Sequence, residues 1–150
     1  LRQRKYRCCQ NPEVVNFKRL LLSKHYIDRE SGGRLGVFET TASDNMASYL
    51  RPQECGNHTH VRWAEVKDKN GRGLRFEGDD LSLSVLPYSP DMIDACEHPN
   101  ELPQSLSTYI RVDLAQQGIG GDDSWGARPL PKYYIDNSKA LELTFWLKGI

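Results

Sequence analysis

Between Val61 and Leu86 the chain alternates, turns and alternates again, and that pattern admits little besides an antiparallel sheet. Val61, Trp63, Glu65 and Lys67 fall on one side of an extended segment, with Arg62, Ala64 and Val66 on the other. Asp68-Lys69-Asn70-Gly71 follows. Asn-Gly between two strand-like runs is a hairpin signal, because a type I′ turn needs positive φ at both central residues. The return strand is expected over 74–77. A second alternation then places Leu81, Leu83 and Val85 on one buried face.

Other segments repeat the theme. Val37, Phe38, Thr40 and Thr41 favour extended backbone and predict a strand over 35–41. Tyr109, Arg111 and Asp113 alternate with Ile110, Val112 and Leu114, and Leu141, Leu143, Phe145 and Leu147 alternate with Glu142, Thr144, Trp146 and Lys148. Residues 42–51 read as irregular, ended by Pro52, which lacks an amide donor. Ser89-Pro90-Asp91 predicts one short helix over 91–97, closed by His98-Pro99. Asn11-Pro12-Glu13 also reads as a helix start before Val14, Val15 and Phe17. Many strands at short spacing, one short helix and no alternation of strand with helix predict an all-β fold, an antiparallel β-sandwich.

A chain of 150 residues is read as one domain. Twenty basic and 20 acidic side chains balance, so no field favours nucleic acid or an anionic membrane. No apolar run approaches the ~20 residues that span a bilayer, and no secretory pattern opens the chain, so a soluble protein is expected. Basic residues 2, 4, 5 and 7 read as a solvated segment. Cys8, Cys9, Cys55 and Cys96 lack the spacing of a disulfide framework and are expected as thiols. The chain begins at Leu1 and reads as a piece of something longer.

Near the C-terminal end stands Gly118-Ile119-Gly120-Gly121-Asp122-Asp123-Ser124-Trp125-Gly126. Glycines permit positive φ and sharp turns, while Asp122, Asp123 and Ser124 can fold back onto the loop's own amides. Trp125 at its end has two readings. It caps a core, as loop tryptophans commonly do, or its flat amphipathic ring meets a ligand that is partly apolar and partly polar, such as a sugar.

The loop resembles a signature of the β-galactosidases of glycoside hydrolase family 2, in the C-terminal region called the small chain. Tyr26-Ile27-Asp28-Arg29, Arg34-Leu35-Gly36, Tyr49-Leu50-Arg51-Pro52-Gln53-Glu54, Gly56-Asn57 and Val61-Arg62-Trp63 resemble that region in its order. So do Leu86-Pro87-Tyr88-Ser89-Pro90, His98-Pro99, Glu101-Leu102-Pro103 and Val112-Asp113-Leu114. The resemblance covers residues 16–150 and leaves 1–15 unmatched. Residues 18–25 depart from the family, lacking its glycines, proline and asparagine.

The resemblance implies that these strands are the later part of a supersandwich like that of galactose mutarotase. It implies a retaining enzyme acting on terminal β-galactosides such as lactose. Its acid and nucleophile are glutamates of a preceding (β/α)₈ barrel, absent here, so this chain alone is expected to be inactive. Trp125 matches the tryptophan that walls the galactoside site, with Gly118, Gly120, Gly121, Asp122, Asp123 and Ser124 as its support. The partners implied are the barrel, in the same polypeptide or a large subunit, and a β-galactoside, in an oligomer. Magnesium and sodium are expected in other domains and no cofactor in this one. The expected compartment is the cytoplasm, with the periplasm as the alternative. A different class of reading is a free-standing carbohydrate-binding or interaction module without hydrolysis.

Two constellations compete with these readings. Cys55, His58 and His60 form a C-x-x-H-x-H pattern whose histidines share a face if extended. The spacing is not an established zinc pattern and no fourth ligand lies nearby, so no metal is expected. Glu54 with Asp122 and Asp123 could supply two carboxyls, but the simpler expectation is that each braces its own loop.

Overall fold

The computed structural model describes the backbone of residues 4–8 and 14–19, and residues 25–33, 36–123 and 125–150 in full. The strands are Arg4–Cys8 (β1), Val14–Arg19 (β2), Gly36–Thr40 (β3), Asn57–Lys67 (β4), Gly73–Leu86 (β5), Thr108–Asp113 (β6) and Trp146–Gly149 (β7). They form one seven-stranded sheet in the order β1-β6-β5-β4-β2-β3, with β7 also on β5. Every pairing is antiparallel. The all-β expectation therefore holds.

β5 is the spine, because its length lets it serve three neighbours. One edge runs along β4. Its other edge takes β7 over 74–77 and β6 over 82–86. Val61, Ala64, Val66, Phe76, Leu81, Leu83, Val85, Ile110 and Val112 close the main core, with Leu74, Leu143 and Phe145 packed against it. Phe145 lies 6.3 Å from Phe76, ring centre to ring centre. The segment before β7 thus crosses the core face.

A smaller core behind the end of β5 unites Cys55, Leu86 and Ile93 with Met46, Ala47 and Tyr88. Two short helices frame it. Pro90–Asp94 (α2) is the helix expected over 91–97, though it stops at Asp94, and Ser89 Oγ accepts the Met92 amide at 3.2 Å. Ala42–Asn45 (α1) lies where no helix was expected, capped by Thr41, whose hydroxyl accepts the Asp44 amide at 3.0 Å. Such a cap offsets the unpaired amides that a single turn leaves. No described helix is long and apolar enough to cross a membrane.

Four further expectations need correction. The helix start at 11–13 lies outside the described residues, but 14–19 is a strand held between β3 and β4. β-branched and aromatic residues suit it to that place better than their spacing suits a helix. In the hairpin only Gly71 takes positive φ, at +80°, and Asn70 does not, so the turn is not type I′. Asp68 sets it instead, its Oδ1 accepting the Asn70 amide at 2.8 Å and the Arg72 amide at 3.0 Å. The simple alternation of 61–67 fails because register shifts at His58/Val61 and Val61/Trp63 bring Val61 to the buried side with Ala64 and Val66. Finally, of 141–148 only the last three residues are in β7, and Leu141 and Leu147 stay largely exposed.

Candidate functional site

β6 feeds the glycine loop, and the loop docks on the 3₁₀ turn Ile27–Gly32. That turn is seated on β4 by a reciprocal pair of bonds. The His25 amide donates to the Asn57 carbonyl at 2.8 Å, and Asn57 Nδ2 donates to the His25 carbonyl at 3.2 Å. From the turn, Asp28 Oδ2 accepts the Gly120 amide at 2.8 Å. The Asp28 side chain is 3% exposed, so this bond forms out of water, where a carboxylate acceptor is strong. Arg29 Nη2 donates to the Gly120 carbonyl and reaches Asp122 Oδ1 at 3.4 Å. Both backbone groups of Gly120 are thus held by side chains more than ninety positions away in the case of each bond.

The glycines follow from this docking. A Cβ at Gly118 would stand 2.8 Å from Asp28 Cγ, inside the carboxylate that holds the loop. Gly120 sits at φ +66°, and a Cβ there would lie 2.8 Å from the Pro129 nitrogen. Gly121 and Gly126 take φ +78° and +86° in open space, so they answer to backbone conformation alone. The Gly121 amide donates to the Ala127 carbonyl at 2.9 Å, closing the loop across its neck.

The aspartates divide the work differently from expectation. Asp123 does fold back, its Oδ1 accepting the Trp125 amide at 2.8 Å and the Ala127 amide at 3.1 Å. Asp122 meets the Arg29 guanidinium instead of the loop's amides. Ser124 lies outside the described residues. Trp125 ends with its amide held and the residue 92% exposed, so it caps no core among the described residues.

A second network braces the sheet beside the loop. Arg111 on β6 donates from both terminal nitrogens to Glu54, at 2.7 Å for Nη1 to Oε2, and Tyr26 donates its hydroxyl to Glu54 Oε1 at 3.3 Å. Arg111 Nε stands 3.0 Å from Asp113 Oδ2, close enough for charge attraction but misaligned for a hydrogen bond. Burial pushes the Asp113 carboxyl above its ordinary range against the pull of Arg111. Burial and the Glu54 carboxylate push the Tyr26 phenol upward as well. Glu54 therefore braces its loop, and no pairing with Asp122 or Asp123 is built, since each carboxylate has its own partners.

The C-x-x-H-x-H residues diverge. Cys55 lies in the smaller core, 3.6 Å from Met46 Sδ. His58 is buried with Nε2 3.1 Å from Asn45 Oδ1. His60 is turned away by φ +55°, and its ring reaches Asp80 and Glu30, both at 2.8 Å. Among the described residues no group of three His, Cys, Asp or Glu is arranged to hold a metal ion. Asp28 and Arg29 are the residues that sequence reasoning passed over. They stood within a matched run, but nothing in one dimension shows that this run meets a loop near the other end of the chain.

The family profile described as "Beta galactosidase small chain" matches residues 23–147. A β-galactosidase from Priestia megaterium is 41% identical over 128 residues, covering 85% of this chain and 12% of that protein. β-Galactosidase BgaC from Bifidobacterium adolescentis is 42% identical over 127 residues, 82% of this chain and 12% of that protein. A β-galactosidase small subunit from Latilactobacillus sakei is 31% identical over 137 residues, 83% of this chain and 43% of that protein. The chain thus spans about an eighth of the long relatives and under half of the small subunit. A profile match over most of the length, with relatives above 40% identity beside it, makes this chain a member of the β-galactosidase small chain family.

Proposed function

We propose that this chain is the C-terminal β-sandwich region of a retaining glycoside hydrolase family 2 β-galactosidase. Its role there is to supply Trp125 as a wall of the sugar site. The catalytic glutamates, with the magnesium and sodium of the family, belong to regions outside these 150 residues. The long β-galactosidase relatives leave room for a barrel, since this chain accounts for 12% of their length. A large subunit could carry the same barrel. The other layer of the supersandwich, the oligomer and a cytoplasmic location belong to the same reading.

One observation carries it: an indole 92% exposed on a loop whose backbone is fixed from both sides. Leaving such a ring in water forgoes roughly 4–6 kcal/mol of burial. A single exposed apolar residue is ordinary, but a rigid mount for one is not needed unless the ring must stay in place. Its flat face suits the apolar face of a galactoside and its N–H a hydroxyl.

In this reading the acid and nucleophile belong to the barrel, and among the described residues Glu54, Asp122 and Asp123 are each engaged with partners of their own. The purified 150-residue chain should therefore give no turnover of a chromogenic β-galactoside. The polypeptide extended upstream, or the chain mixed with its large subunit, should turn it over. Turnover by the chain alone that survives purification and disappears in Glu54→Gln would overturn the reading.

A further inference from the structure

His60 occupies an unusual place. It is the only described residue other than glycine at positive φ, in the irregular stretch of β4 where the register against β5 shifts. A histidine there costs on the order of 1 kcal/mol in backbone strain, so the ring should be doing something in return. Its Nδ1 lies 2.8 Å from Asp80 Oδ1 on β5, and its Nε2 lies 2.8 Å from Glu30 Oε2 on the turn Ile27–Gly32. Carboxylates accept and do not donate, so both contacts are hydrogen bonds only when both ring nitrogens carry protons. The geometry is that of an imidazolium between two anions.

What this contact holds is the turn on which the loop docks. Ile27–Gly32 buries none of its residues in a core. Beside it lies a cavity of about 80 Å³, which Ile27 lines together with Thr59, Leu81, Ser82 and Leu114. The turn is seated by the His25 and Asn57 bonds before it and by Glu30 near its end. Between those two ties lie Asp28 and Arg29, which hold Gly120 and Asp122.

We propose that His60 is a positioning residue for the Trp125 loop: its imidazolium ties the turn Ile27–Gly32 to β5, and the turn holds the loop through Asp28 and Arg29. Its consequence for sugar binding rests on the reading of Trp125 above; the coupling within the chain does not.

Among the described residues, the charged groups facing His60 are Glu30 on the turn and Asp80 on β5. Leu114, Ala115 and Gln116, which line the same cavity, bring none. Burial opposes the charge, but the bonds to Asp80 and Glu30 outweigh it and raise the His60 pKa above the ordinary 6.5. The tie is therefore fully present below pH 6.5 and is lost as pH rises through the folded value. Above it a neutral ring can donate to one carboxylate only, and its other nitrogen presents a lone pair to the second.

The test is nuclear magnetic resonance on the full 150-residue chain, without sugar or large subunit, from pH 5 to pH 9, following the His60 ring, the Gly120 amide and the Trp125 indole N–H. The His60 ring should titrate with a midpoint above 6.5. The Gly120 and Trp125 signals should move with that same midpoint. In His60→Asn, which tolerates positive φ but carries no charge, both loop signals should stop titrating and stay at their wild-type high-pH positions. Glu30→Gln, a change on a half-buried side chain outside the core, keeps the test open if His60→Asn does not fold. It should lower the ring midpoint and uncouple the loop from it. Loop signals that ignore the ring's titration, or that titrate unchanged in either variant, overturn the proposal. Because no sugar enters the experiment, failure here and failure of the sugar-site reading are told apart.

Discussion

Gly120 shows how a single residue can be fixed by chemistry and by geometry at once. Asp28 takes its amide, Arg29 takes its carbonyl, and the Ala127 to Pro129 backbone fills the space where a Cβ would go. Gly121, its neighbour, has only its φ of +78° to defend. Gly120→Ala should therefore destabilise the loop by about 2–4 kcal/mol, combining left-handed strain with backbone displacement, against about 1–2 kcal/mol for Gly121→Ala. Local opening of residues 118–127, read by amide hydrogen exchange, checks the difference; equal effects would mean that the Ala127 to Pro129 backbone does not crowd Gly120. At this scale the sequence showed much. Glycines, turn-forming aspartates and an amphipathic ring in one run could be read directly, and Asp123 behaves as its side-chain chemistry dictates. The destination of Asp122 could not be read, because its partner Arg29 is brought to it only by the fold.

Among the elements, β5 was legible in two pieces and proved to be one, Gly73–Leu86, because Gly78 to Asp80 continue the strand through an irregular register rather than ending it. Irregular pairing also defeated the face assignment in β4, since a shift of one position exchanges the two faces of every residue beyond it. The end of β5 is organised by Asn45 on α1, a helix too short for periodicity to announce. Its Nδ2 donates to the Val85 carbonyl at 3.1 Å and its Oδ1 lies 3.1 Å from His58 Nε2, with the residue 1% exposed. Asn45→Ala deprives a buried strand carbonyl of that donor and should cost about 2–3 kcal/mol. Urea denaturation should show a lower midpoint with an unchanged slope. A loss below about 0.5 kcal/mol, the range of surface substitutions, would show that α1 only decorates the sheet.

At the scale of the whole molecule the sheet leaves apolar side chains and strand edges exposed among the described residues. Trp146 is 74% exposed and Val37 61%, on strands β7 and β3 that each offer an unpaired edge among the described residues. Composition and alternation were enough to call an all-β chain, because strand patterning is local. Which strand neighbours which was not, because β1 joins β6 across about a hundred residues and no local pattern carries that choice. On the proposed function, the exposed ring of Trp125 serves sugar binding in the assembled enzyme. There, Trp125→Leu should raise KM for the galactoside or slow galactosyl transfer to acceptors, with the melting temperature within about 2 °C of the parent, as for a surface change. KM, acceptor partitioning and melting temperature measured together on the one variant give the decisive result. A variant destabilised by several degrees whose folded fraction keeps the parent's KM and partitioning would contradict the account.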